Sequence, residues 1–573
     1  MNRRRRQPAM AAWRGRFLLG LFFVAAISLE ARLVWLQLFE SEFLTAEGDQ
    51  RQQRVVEVPA HRGLIRDRHD EPLAVSTPVD SIIVNPQLIG LERDRIYELS
   101  RALGVDGAEL EREITRRLDR QYYPVARRLA PADAARVVEL GIAGVWSERE
   151  YKRFYPQAEV TCHLVGFAGD EDIGQEGLEY LFDARLAGQR GSKRVLQDER
   201  GRFLADVEQI KPARAGRDIR SSIDLRLQYP AYRALKTAIQ AAGASSGSLV
   251  LLDALSGEVL ALANQPACNP NDPEHRARPD LYRNRAITDP IEPGSTNKPL
   301  ILAAALATER FSPDTMVDVP RVLEVSGREV TDDEYGPLGL VSVTEILARS
   351  SSVGMGLIGL ELEPVDLWST LRSFGFGGPT DSDLGSLESH GTVPHYSSWG
   401  SIGHATISYG YGLSVTPLQL ARAYAAIASG GLLPPISFEA LDEPPEKTRV
   451  MSPGVAADLM HMLEVVVSDQ GTAQRADIPF YRVAGKTGTA RMSASGGYSE
   501  NRHHAVFAGI APASRPRFVA VVVVNDPRGR AYYGGEVAAP VFAEVMQTAL
   551  RTYGVPRDAS PEPTRLSLVE ARQ

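Results

Sequence analysis

Near the N-terminus the run FLLGLFFVAAISL from Phe17 to Leu29 carries no charge, and the apolar pattern resumes after Glu30 and Arg32 in Leu33-Val34-Trp35-Leu36-Gln37-Leu38-Phe39. Such a stretch lies in lipid or is removed, and either outcome puts the rest of the chain on one side of a membrane. Alone, the uncharged run is short for a span and long enough for a signal peptide. Residues 17–39 read as one helix cross a bilayer, with Trp35 and the charged pair near the far interface. Ala26 and Ser28 offer only a poor cleavage site, so an uncleaved anchor is expected. Arg3, Arg4, Arg5, Arg6, Arg14 and Arg16 precede it, which keeps residues 1–16 in the cytoplasm as a basic tail and everything after Phe39 outside.

At 573 residues the chain is too long for one core, so two or three domains are expected. Charged residues at 24% and hydrophobic ones at 43% describe ordinary globular material. A net charge of −8 argues against nucleic acid as a partner. The only cysteines, Cys162 and Cys268, exclude a disulfide-rich scaffold; they fall in stretches assigned to different domains, so that a bridge between them is open but not expected. No Cys/His grouping has metal-ligand spacing, and the adjacent His503 and His504 point to opposite faces of a strand.

Residues 40–218 are polar and rich in arginine, with short strands at Val55–Val58 and Ser81–Val84 and helical spacing from Glu92 to Leu118. Nothing there converges on chemistry, and the segment reads as a spacer or docking module. A second domain, 219–553, opens with an amphipathic helix from Leu225 to Ala242. Paired strands follow at Ser248–Asp253 and Glu258–Ala263. A largely helical insert includes a helix opened by Thr416-Pro417. Strands return at Phe480–Gly485, Ala505–Ile510 and Phe518–Val524, the last apolar on both faces and so central, before a helix from Ala538 to Thr552. Strands at both ends with helices between imply a mixed sheet in an α+β domain. Residues 554–573, with Pro556, Pro561 and Pro563, read as a flexible tail.

Chemistry enters at Glu292-Pro293-Gly294-Ser295-Thr296-Asn297-Lys298. A helix starting near Pro293-Gly294 puts Ser295 and Lys298 on one face, where the lysine amine can take the serine proton if burial or a second cation keeps it partly neutral. Of the chain's lysines only Lys298 has a serine three residues before it. Arg349-Ser350-Ser351-Ser352-Val353-Gly354 opens an apolar helix and by itself is equally a plain N-cap. Gly485-Lys486-Thr487-Gly488-Thr489 closes a strand whose glycines admit a ligand backbone and whose lysine and hydroxyls can hold a carboxylate. S-x-x-K, a serine cluster and K-T-G in that order are hard to assign to chance.

With these motifs the chain resembles a class B penicillin-binding protein, of the division-specific (septal) peptidoglycan D,D-transpeptidase type of Gram-negative bacteria. Arg62-Gly63-Leu64-Ile65-Arg66-Asp67-Arg68, Arg153-Phe154-Tyr155-Pro156, His163-Leu164-Val165-Gly166-Phe167 and Gly174-Gln175-Glu176-Gly177-Leu178-Glu179 match its membrane-proximal motifs. Arg283-Asn284-Arg285, Tyr409-Gly410-Tyr411-Gly412 and Tyr532-Tyr533-Gly534-Gly535 match its catalytic domain. The resemblance implies a transmembrane helix, an elongated α+β pedestal (dimerisation-type) domain at 40–218, and a transpeptidase domain at 219–553 made of an antiparallel sheet packed with helices plus an all-helical subdomain. It further implies no cofactor or metal, an inner-membrane single-pass protein with its catalytic domain in the periplasm, and division-complex partners including a glycosyltransferase.

Carried over residue by residue, the resemblance makes Ser295 the nucleophile on the penultimate D-Ala of a stem peptide, Lys298 its base and Ser350 a proton relay. Lys486 holds Ser350 and the substrate; Thr487, Gly488 and Thr489 lie along the substrate carboxylate; and the backbone N–H groups of Ser295 and Thr489 form the oxyanion hole. β-Lactams enter as substrate mimics. Ser352 occupies a position where the family has asparagine, replacing a long donor and acceptor by one short hydroxyl. That departure motivates a second reading, a catalytically weakened or condition-specific paralogue acting partly as a division scaffold. A β-lactamase would share the chemistry but not the anchor or the large first domain.

Overall fold

The computed structural model describes residues 12–40, 53–90, 92–197, 203–332, 338–382, 384–494 and 497–559. Arg3 to Arg6, Pro561 and Pro563 lie outside these. α1 (Ala12–Leu38) is one continuous helix, none of whose most apolar window is buried against protein, and it is long enough to cross a membrane. It begins before Phe17, because Arg14 and Arg16 are themselves good helix formers.

The chain divides into two compact units, one from Met1–His61, Pro78–Lys152 and Gln189–Ala215, the other from Arg62–Thr77, Arg153–Gly188 and Gly216–Gln573. In chain order the first part of the molecule supplies β1 (Gln53–Val58), β2 (Pro72–Val84), α2 (Arg93–Leu103), α3 (Gly107–Thr115), β3 (Tyr123–Leu129), α4 (Pro131–Val138), β4 (Val145–Phe154), β5 (Gly191–Gln197) and β6 (Phe203–Lys211). The helical pattern expected over Glu92–Leu118 is two helices. Gly104 ends α2 in the left-handed region at φ 69°, and the Asp106 carboxylate caps α3 by accepting from Glu109 N at 2.7 Å. Ile82, Ile96, Leu99, Ile114 and Val137 form the buried core of that unit. β1, β5 and β6 make a separate antiparallel sheet.

In the second unit the membrane-proximal motifs close on one ionic knot. Arg62 Nε meets Glu179 Oε2 at 2.7 Å, its Nη1 meets Asp183 Oδ1 at 2.7 Å, and Arg153 Nε meets Glu179 Oε1 at 2.6 Å. Glu179 and Arg62 have no exposed side-chain surface, so losing either would leave the other's buried charge only partly compensated, by Arg153 or by Asp183. Nothing in the local sequence pattern foretold this convergence.

The rest of this unit is built on α5 (Leu225–Ala242), capped by Asp224 and ended by Gly243, and on β7 (Ser246–Asp253) and β8 (Val259–Gln265). After β8 come α6 (Lys298–Ala307), four short strands, β9 (Met316–Val319), β10 (Val322–Val325), β11 (Arg328–Thr331) and β12 (Gly339–Ser342), and then α7 (Ser352–Leu360), α8 (Ser401–Ser408), α9 (Pro417–Ala428) and α10 (Pro453–Val467). β13 (Ala484–Ala494), β14 (Gly497–Ala511), β15 (Phe518–Asn525) and α11 (Ala539–Thr552) finish it. The sheet runs β8-β7-β15-β14-β13 and is antiparallel throughout rather than mixed: within each half the strands are hairpin partners, which must run opposite ways, and the β7–β15 pair that joins the halves is antiparallel as well. β15 is central and buried at every residue.

Two expectations need correction. The strand drawn from Phe480 begins only at Ala484: Phe480 is left-handed at φ 72° and Ile478 bridges Tyr481, so the chain turns there. Cys162 and Cys268 do pair, with Cα atoms 5.8 Å apart, because residues 153–188 fold into the same unit as the catalytic-domain stretch. The bridge is buried with Leu281 and Tyr282, with Phe167 packed on it.

Candidate active site

Ser295 lies on a single 3₁₀ turn, Gly294–Asn297, and the α-helix starts only at Lys298. In a 3₁₀ turn residues three apart eclipse, so the expected shared face survives in a tighter form. Thr296 holds the turn through Oγ1 to Pro293 O at 2.6 Å, and Tyr424 OH donates to Thr296 O at 2.9 Å. Gly294 is left-handed at φ 52°, and it donates to Gly410 O at 3.1 Å; a side chain at Gly410 would meet Gly294 O at 1.9 Å. Behind the turn, α6 buries every residue from Lys298 to Leu306, which makes it a rigid mount.

Ser350 lies just before α7, left-handed at φ 58° without being glycine. Its carbonyl accepts a short hydrogen bond from Lys298 Nζ, which also lies 3.4 Å from Ser350 Oγ and 3.4 Å from Ser352 Oγ. Lys486 Nζ approaches Ser350 Oγ from the other side at 2.9 Å and donates to Thr487 O at 3.1 Å. Both lysines are fully buried. Burial, and then the charge of Lys298, push the Lys486 amine well below the ordinary lysine range.

The K-T-G residues occupy β13, the edge strand of the sheet, not the end of a strand. An edge has unpaired backbone groups, which an extended peptide can use. Gly488 is where this strand passes the Ser295 turn: a Cβ there would stand 2.9 Å from Pro293 O and 3.0 Å from Thr296 Cγ2. Thr487 Oγ1 is 2.8 Å from Thr472 Oγ1, and Thr489 Oγ1 accepts from Gly534 N at 3.1 Å. The Tyr409–Gly412 turn and β14 meet at Glu292, whose Oε1 accepts from Gly412 N and from Tyr498 OH, each at 2.8 Å. Burial raises the pKa of that carboxyl. All eight expected site residues therefore converge on the Ser295 turn, the start of α7 and β13.

Residues 247–547 match the model of the penicillin binding protein transpeptidase domain, and 57–221 that of the penicillin-binding protein dimerisation domain. The chain belongs to the class B penicillin-binding proteins. The probable peptidoglycan D,D-transpeptidase PbpC of Pseudomonas aeruginosa is 38% identical over 94% of this chain and 95% of its own. The peptidoglycan D,D-transpeptidase FtsI of Escherichia coli K12 is 39% identical over 96% and 93%. Penicillin binding protein 3 of Mycobacterium tuberculosis, solved with ampicillin, superposes with a TM-score of 0.69 at 28% identity, covering 89% of this chain and 98% of that one.

In this penicillin-binding protein two cavities, of about 690 and 470 Å³, are lined by none of the eight residues. An extended peptide needs an open strand edge, not an enclosed cavity. Among the described residues no group of three or more His, Cys, Asp or Glu could hold a metal ion. Sequence reading missed Asp332, whose carboxylate lies on the serine cluster, and assigned nothing to Tyr498 or Thr472. Only Asp332 follows a local signal, the tight Ser326-Gly327 hairpin turn, and that signal marks a turn rather than a site.

Proposed function

We propose that this penicillin-binding protein cross-links stem peptides of septal peptidoglycan as a D,D-transpeptidase and is blocked by β-lactams. The observation that carries the reading is the placement of two buried amines, Lys298 and Lys486, around Ser350 beside the Ser295 turn. The Ser295 Oγ attacks the carbonyl carbon of the penultimate D-Ala while Lys298 Nζ takes the hydroxyl proton. The tetrahedral oxyanion faces the N–H groups of Ser295 and Thr489. The C–N bond then breaks, and the departing D-Ala amine receives a proton by way of Ser350. Lys486, Thr487 and Thr489 hold the D-Ala carboxylate, with Gly488 allowing the close approach. The amine of a second stem peptide reverses these steps, losing its proton to the same relay as the cross-link forms.

The reading places α1 in the inner membrane and residues 219–553 in the periplasm on a pedestal of 40–218. The Cys162–Cys268 bridge supports an oxidising compartment for both segments. Division-complex proteins, including a glycosyltransferase, would be met through the anchor and pedestal. A fluorescent penicillin should label the protein, and Ser295→Ala should abolish the label. Failure of folded wild type to label, at concentrations that label a relative, would sink the enzymatic reading. Depletion that leaves septation normal would favour the condition-specific paralogue instead.

A further inference from the structure

Asp332 stands just beyond the β10–β11 hairpin, far in sequence from every motif residue. Its Oδ1 accepts from Ser352 N at 2.5 Å and from Val353 N at 3.2 Å, and its Oδ2 accepts from Ser351 Oγ at 2.6 Å. Ser351 Oγ in turn caps α7 by accepting from Gly354 N at 2.9 Å. One carboxylate thus grips the residues that follow Ser350, and Lys298 grips the Ser350 carbonyl. Between these two holds Ser350 keeps its left-handed φ of 58°, a conformation a non-glycine residue retains only when its surroundings over-determine it. The hairpin is itself seated on α7: a Cβ on Gly356 would meet Leu323 Cδ2 at 2.9 Å.

We infer that Asp332 is a positioning residue for the proton relay. It touches neither substrate nor the reacting atoms, and it acts by holding Ser350 Oγ within 2.9 Å of Lys486 Nζ while Ser352 Oγ faces Lys298. The chemistry suits the task. A carboxylate accepts several hydrogen bonds at once, and anionic charge is favoured at the first turn of a helix. Without it, two backbone N–H groups and the Ser351 hydroxyl must find other acceptors, and the serine cluster can relax toward an ordinary φ.

The test measures acylation of the full-length protein by a fluorescent penicillin, recording both the labelled fraction and the rate per labelled site across pH. Asp332→Ala is expected to lower the rate per labelled site by about 10- to 100-fold, the scale of an ångström-sized misplacement of reacting groups. Its pH–rate profile should be displaced from wild type, because Ser350 no longer sits squarely on Lys486. Asp332→Asn keeps one acceptor oxygen for the backbone N–H groups and should recover most of the rate. A variant that loses only labelled fraction or melting temperature, with rate and profile unchanged, overturns the inference. If Asp332→Ala does not fold, Asp332→Thr decides instead, since its short hydroxyl fills the space but cannot hold both backbone N–H groups and Ser351: a wild-type rate and profile overturn the inference, and a slower rate with a displaced profile supports it. The inference rests on the transpeptidase reading, but the two fail differently. Unlabelled wild type sinks that reading, whereas labelled wild type with indifferent Asp332 variants sinks only this one.

Discussion

Two ammonium ions around one serine hydroxyl repel each other, and Lys298 and Lys486 both end within 3.4 Å of Ser350 Oγ. Burial and then the neighbouring charge of Lys298 hold the Lys486 amine well below the ordinary lysine range. A bound carboxylate reverses this by favouring the ammonium. Ser295→Ala protein binding a penicillin without acylation should therefore raise the Lys486 pKa and take up protons as it binds, visible by calorimetry in buffers of different ionisation enthalpy. No uptake, or net release, would count against the assignment of the carboxylate to Lys486. Ser352 is the other open residue. Its hydroxyl reaches Lys298 only at 3.4 Å, a weak contact, whereas an asparagine reaches further with both a donor and an acceptor. Ser352→Asn should raise the acylation rate by roughly 10-fold, about 1.4 kcal/mol of barrier; an unchanged or slower rate means the serine is no handicap. Ser295 and Lys298 were legible because lysine is scarce and their spacing local, and Lys486 because it stands in a K-T-G run. Asp332 was not, because its carboxylate reaches its partners only through tertiary packing.

At the scale of elements, the distance between β13 and the Ser295 turn depends on a missing side chain. Gly488 faces Pro293 O and Thr296 Cγ2 at separations a Cβ cannot keep, and one of the two is backbone. Gly488→Ala should push the edge strand off the turn, lowering stability by about 1–3 kcal/mol through overpacking. Acylation should fall by up to about 100-fold, more than the stability change accounts for. Wild-type kinetics in this variant would show that the strand does not set the nucleophile's geometry. The strand itself was foreseen from its residues, but its start was not. Phe480 and Val483 fit a strand pattern, and only the turn at Ile478–Tyr481 excludes them from the ladder. Nor could the pattern at Glu92–Leu118 reveal a break, since Gly104 and Asp106 are ordinary helix-end residues that also occur within long polar stretches.

Over the whole molecule, the Cys162–Cys268 bridge closes a separation of 106 residues, and it ties the segment after β4 to the loop leading from β8 toward Ser295. Replacing both cysteines by serine should lower the unfolding free energy by roughly 2–5 kcal/mol in the loop-entropy account. Thermal unfolding of wild type after reduction of the bridge should approach that of the double variant; equal stability of the oxidised wild type and the double variant would show the bridge to be energetically idle. By itself the sequence determined the apolar N-terminal helix, the paired strands at Ser248–Asp253 and Glu258–Ala263, the central strand from Phe518 and the juxtaposition of Ser295 with Lys298. Each of these is written in residues close together in the chain, where periodicity and spacing act directly. Only the tertiary structure decided that Arg62, Arg153 and Glu179 share one buried knot, that the cysteines pair, and that Asp332 grips the serine cluster. Those contacts join residues 19 to 117 positions apart, and no local pattern encodes which distant partner will satisfy a buried charge or hydroxyl. The Ser295–Lys298 turn was readable from the chain; the setting of Ser350 between two buried lysines had to be assembled by folding.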